Sequence, residues 1–284
     1  MTDVDMSAIR RELLLMRYIT VSEDSGVHLS YITARISARL FDRVMHRTDV
    51  YPNIVGIDYE CESVYVSPIS GFGNFPNLQY LSIKPEVYFS MSGIANFDVM
   101  CPRLIHVMVP GMVSDDFSSE SFFAEVSLPP TIEFLSGRSS CKFVNLDALP
   151  KLKQLSAYFF TDTLIPAGLT DLRIVGSDEP LVVDASRMLR LSGSTPRQVT
   201  VGVCPQLKVV HLDCRVEFVA GTHRSIQYLF CPQETGLNLT SFPNLMYVSV
   251  PHTETYAAAL GRRRRNLYVA PTSLALECGR QSFG

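Results

Sequence analysis

A step of 19 residues, held through six successive units, limits what this chain can become more than any other feature. Aligned on one apolar position, Leu169, Met188, Leu207, Ile226, Leu245 and Arg264 follow one another at that constant spacing. Three residues on, the column reads Leu172, Leu191, Val210, Leu229, Val248 and Leu267; two further, it reads Ile174, Gly193, Leu212, Cys231, Val250 and Val269. A third column, six residues before the anchor, reads Thr163, Val182, Val201, Ala220, Leu239 and Ala258, and predicts a second inward-facing segment in each unit. A fixed period of this kind marks a repeat architecture, in which one unit cannot shield its apolar face alone and stacked neighbours cover it.

The N-terminal half repeats less evenly. Its anchors are Ile54, Leu78, Leu104, Ile132 and Leu152, leading to Leu169 by steps of 24, 26, 28, 20 and 17 residues. Extra residues can loop out between strands while the inward ladder is kept, so about eleven turns are expected in all. Apolar residues two apart, as at Val210 and Leu212, leave an extended segment on one face, whereas a helix would separate them. Pro76, Pro102, Pro150, Pro205 and Pro243 stand just before these segments, where a missing donor and a fixed φ suit a corner. Cys101 and Cys204 occupy the slot before proline that Phe75 and Phe242 fill elsewhere, which predicts buried, inert thiols. The expected fold is a β-rich solenoid of stacked coils over residues 51–284, closed by a C-terminal cap. Residues 1–50 are expected to form an N-terminal α-helical cap, because Ile32, Ile36, Leu40 and Val44 recur every fourth position within a helical stretch from Met6 to Arg47.

The strings LPPTIEFL at Leu128 and IPAGLTDLRI at Ile165, with the five proline-marked units, resemble the leucine-rich-repeat superfamily over residues 51–271. The likeness is to short, proline-marked subtypes found in bacterial effectors, protists and large DNA viruses. It departs from the family in lacking the Asn that ends the usual repeat strand, and in a period below the usual range. The resemblance implies a binding scaffold for a protein partner, perceived through the outward positions of the strand ladder. Those singled out are Tyr80, His106, Phe134, Arg173, Arg190, His211, Tyr228, Phe230, Tyr247 and Tyr268. Tyr and Arg are prominent among residues that dominate binding energy. The same aromatic residues also suit strands and pack along a ladder, so both readings stand.

The chain has no H-E-x-x-H, G-x-S-x-G, Walker-type loop or G-x-G-x-x-G, so neither catalytic residue, cofactor, metal nor small-molecule substrate is expected. Seven cysteines without a C-x-x-C pair argue against zinc and against a disulfide framework. A net charge of −3 disfavours nucleic acid and anionic membrane as partners, with Arg262, Arg263, Arg264 and Arg265 the one dense basic run. Asp3 and Asp5 stand where a secretion signal needs positive charge, which points to an intracellular, soluble protein. Two other functions remain open: an F-box-like adaptor of a ubiquitin ligase, from ELLLMRYI at Glu12, and a β-helix enzyme acting on polysaccharide.

Overall fold

Ten times among the described residues a β-turn closes the corner before a strand, and each time the anchor residue of the repeat donates its N–H to the carbonyl three residues back. The donors are Ile54, Leu78, Leu104, Ile132, Leu152, Leu169, Met188, Leu207, Ile226 and Leu245, at 3.0–3.3 Å. Seven of the ten turns carry Pro in their second position, where its fixed φ is already that of the turn. The first turn residue is buried almost throughout, whether it is Tyr51, Phe75, Cys101, Leu149, Ala185, Cys204, His223 or Phe242. This computed structural model describes residues 6–23, 27–60, 63–66, 69–83, 86–89, 95–109, 111–114, 124–137, 141–160, 164–219, 223–233, 237–238, 241–249 and 268–269.

The chain divides into two compact units, Met1–Leu152 and Lys153–Gly284. In the first, strands run in the order Val27–Leu29, Thr33–Ser37, Tyr18–Ser22, Gly56–Tyr59, Tyr80–Ile83, His106–Val109 and Phe134–Gly137. Only the first pair is antiparallel. Gly56 pairs with Tyr80, Tyr80 with His106 and His106 with Phe134, which reproduces the expected steps of 24, 26 and 28 residues. Two short parallel sheets accompany this ladder: Ser63–Val66, Glu86–Phe89 and Gly111–Ser114 form one, and Ala95–Asn96, Ala124–Ser127 and Cys141–Phe143 the other.

In the second unit, Gln154–Phe159, Asp171–Ser177, Arg190–Ser194, Val209–Asp213, Tyr228–Phe230, Tyr247–Ser249 and Tyr268–Val269 are parallel in sequence order. Leu172, Leu191, Val210, Leu229 and Val248 pair in one line, at most 2% exposed. The 19-residue column is therefore a continuous apolar seam. Five of these strands, from Asp171–Ser177 to Tyr247–Ser249, begin with one carbonyl of the preceding repeat accepting two successive N–H groups, as Leu189 accepts from Lys208 and Val209, and Lys208 from Gln227 and Tyr228. Side chains in the third turn position add cross-links: the Asn77 amide donates to the Pro52 carbonyl at 2.8 Å, and the Asn244 amide to the Arg224 carbonyl at 2.7 Å.

Four expectations need correction. The N-terminal segment is not one helical cap: among the described residues helices span Met6–Leu13 and Ala38–Met45 only, and three strands lie between them. Ser37 interrupts the four-residue spacing by capping the second helix, its hydroxyl accepting from Leu40 N–H, so Ile36 lies in the strand Thr33–Ser37 while Ile32 is 49% exposed. The second inward segment exists as Leu181–Val183, Val199–Val201 and Val216–Phe218, but its steps are 18 and 17 residues rather than 19. Val183 pairs with Val201, and Val182 faces outward at 62% exposure, because a one-residue slip turns a strand over. In the last unit Val248 pairs with Val269, a step of 21, and Tyr268 lies beside Tyr247; this moves Val269 into the column assigned to Leu267. Finally, Phe230 alternates with the inward residues as expected yet is buried, and so are Ser82 and Ser249 at equivalent positions of other strands.

The register correction has a measurable consequence. Val183→Ala should lower unfolding stability by more than about 1 kcal/mol, whereas Val182→Ala should change it by less than about 0.5 kcal/mol. Urea denaturation of the two variants checks this, and the unshifted 19-residue column requires the opposite order.

Candidate functional site: the outward face of the strand ladders

Alternation along each strand sends every second side chain away from the apolar seam, and parallel in-register pairing lines these residues up at the spacing of neighbouring strands, about 4.8 Å. Large planar side chains at that spacing must stack. In the first unit Tyr80, His106 and Phe134 do so, with ring centroids 4.6 and 4.1 Å apart and planes within 24° and 4°. Tyr18 continues the row by folding its ring over Gly56, where an added Cβ would overlap Tyr18 Cδ1. Tyr18 and Tyr80 are exposed, while His106 and Phe134 are half-buried. The stack leaves His106 Nε2 buried with no hydrogen-bond partner among the described residues.

The second unit presents two outward rows. One holds Gln154, Asp171, Arg190, Val209, Tyr228, Tyr247 and Tyr268. Arg190 and Asp171 approach to 3.7 Å at the surface, and the Tyr247 and Tyr268 rings stack at 5.6 Å. The other row holds Ser156, Arg173, Ser192, His211, Phe230 and Ser249. Phe230 is covered in part by the His211 ring, 4.2 Å away, so it is a packing residue and His211 forms the accessible part of that pair. Arg262 to Arg265 lie outside the described residues.

Gly193 has φ +129°, and a Cβ there would run into the Ile174 carbonyl oxygen, so only glycine fits. A depression of about 310 Å³ there is lined by Arg173, Ile174, Val175, Ser192, Gly193, Ser194, His211 and Asp213. Ser194 donates its hydroxyl to the Asp213 carbonyl at 3.2 Å, and Asp213 Oδ1 accepts from Gln233 Nε2 at 3.0 Å. Sequence reasoning singles out Arg173 and His211 but not the depression between them; the signal was that Gly193 replaces the bulky residues of its neighbours in an apolar column.

Burial sets the chemistry of the titrating groups. Desolvation lowers the pKa of His106, and that of His211 despite the opposing charge of Asp213. His223, inside a turn slot, is also lowered by burial, partly offset by its ring N–H donating to the Val219 carbonyl at 2.6 Å. The thiols of Cys101 and Cys214 are pushed up by burial to about 12 and about 11, which suppresses the thiolate needed for reaction or metal binding. Among the described residues no three His, Cys, Asp or Glu side chains converge as a metal site, and no helix is long and apolar enough to cross a membrane. The sequence matches no protein-family model and no curated protein.

The three histidines make stability depend on pH in one direction. The unfolded chain protonates them near the ordinary 6.5, before the folded chain does. Stability is thus full above that value and is lost as pH falls through the lower folded values. Denaturation midpoints measured from pH 7.5 to 5 should decline, and His106→Gln should flatten the curve; a midpoint that rises on acidification contradicts this assignment.

Proposed function

We propose that the chain is a leucine-rich-repeat-like solenoid that binds a protein partner through the outward rows of its strand ladders. The observation carrying this reading is the exposed aromatic row itself: Tyr228 and Tyr268 are 43% and 60% exposed on either side of Tyr247. Ladder packing accounts for the stacked interior of each row, as at His106 and Phe230, but leaves these ring surfaces in water. Tyrosines of this kind bring large apolar contact area with few rotors to immobilise, together with a hydroxyl for hydrogen bonding. Arg190 and Arg173 on the same face supply the other residue type most frequent at binding hot spots. The scaffold role fits a framework whose charged and aromatic groups lie on paired strands rather than on loops, since such a surface is preorganised. On the same reading the protein has no catalytic function, and it acts inside a cell or a virus particle.

A partner captured from native extract by the wild-type chain should be retained at least about 30-fold less well by a Tyr228→Ala, Tyr247→Ala double variant, the drop expected from losing one hot spot of about 2 kcal/mol. Both side chains extend outward from buried neighbours, so circular dichroism should remain unchanged. Equal capture of the same partners by both proteins rules the face out.

A further inference from the structure

The outward face of the second unit changes sign across the Gly193 depression. Arg173, Ser192 and His211 are aligned on three neighbouring strands, and Asp213 lies one outward position further along the strand of His211. Two strand spacings of about 4.8 Å and a two-residue step of about 6.6 Å separate the Arg173 and Asp213 backbones by ~12 Å. Arg173 is exposed and forms no ion pair among the described residues. Asp213 uses one carboxylate oxygen for Gln233, and no hydrogen bond to the other occurs among the described residues. A cation and an anion thus lie on either side of a depression lined between them by the short side chains of Ser192 and Ser194.

We propose that this depression recognises an extended segment of a protein partner that carries an acidic and a basic side chain two positions apart. The inference rests on the reading that the outward face binds protein, and it specifies the chemistry of the contact. Side chains at i and i+2 of an extended segment leave the same face about 6.6 Å apart, and their flexible arms span the remaining distance. The carboxylate meets the Arg173 guanidinium, whose planar fork suits two parallel hydrogen bonds. The ammonium or guanidinium meets Asp213. Between them the segment's backbone lies over Ser192 and Ser194, whose short side chains leave the depression open. A segment with the charges exchanged places like against like at both ends if it keeps the same direction, so the pair fixes orientation as well as identity.

The test uses the full chain, labelled with nitrogen-15, and two blocked tripeptides, glutamyl-glycyl-lysine and its neutral analogue glutaminyl-glycyl-glutamine. The charged peptide should shift the amides of Ser192, Gly193, Ser194 and Asp213 saturably, with half-saturation in the ~mM range expected of so small a probe. Arg173→Gln and Asp213→Asn should each weaken that binding at least about tenfold, with the remainder of the spectrum preserved. The proposal is overturned if nothing shifts up to about 10 mM peptide, if the neutral analogue acts equally, or if neither variant matters. It is likewise overturned if free glutamate or free lysine alone reproduces the shifts, which indicates a small-molecule site. Partner capture separates the two levels: loss with the tyrosine double variant but full retention with both Arg173→Gln and Asp213→Asn removes this proposal and leaves the broader one standing. Unchanged capture with the tyrosine variant removes the broader reading, while the peptide titration decides the depression independently.

Discussion

Everything in the two units depends on a four-residue turn whose first residue is buried and whose fourth donates back to it. The turn ends one run of the backbone and aims the next strand, so the anchor's side chain enters the core at the same height in every unit. Proline in the second position makes that corner cheap to form, because its φ needs no ordering and its missing N–H faces no required acceptor. The buried slots then touch one another: Tyr51 stacks on Phe75 at 5.7 Å, and His223 on Phe242 at the same distance. A cysteine or alanine in that slot keeps the turn while giving less contact, which is why the position tolerates such different residues.

Given those corners, parallel pairing in register is the arrangement that satisfies the strand backbone and lines up the apolar seam together. The same register acts on the other side of the strand. Outward residues inherit a separation of about 4.8 Å whether or not they have any reason to associate, and rings at that distance cover each other. Half-burial of His106, burial of Phe230 and the lowered proton affinities of His106 and His211 are consequences of the ladder rather than separate devices. Exposed area survives where a row is interrupted by small or charged residues, as around Ser192 to Ser194, or where a large ring outreaches its neighbours, as at Tyr228.

Much of this was legible in the residues. The steps of 24, 26 and 28 in the first unit, and of 17 and then 19 in the second, appear unchanged as strand registers. The buried slot before proline could be read from Phe and Cys exchanging there. Less was legible where two periods compete: the spacing of Ile32, Ile36, Leu40 and Val44 satisfies a helix, but β-branched residues and the capping hydroxyl of Ser37 divide it between a strand and a helix. The Val182 column failed for a different reason. A column needs only similar residues at equal spacing, and Val182 and Val183 offered two choices, between which pairing with the neighbouring strand decides.

The sequence by itself determined the repeat, the corners and the identity of the seam, because these follow from local rules: proline geometry, alternation and the recurrence of aliphatic residues. Tertiary structure alone decided which outward side chains meet water, the one-residue offset of the second ladder, the two-residue shift at the last strand and the depression at Gly193. Those depend on how far neighbouring strands slide past one another and on what occupies the adjoining position, and neither quantity is encoded within a single repeat.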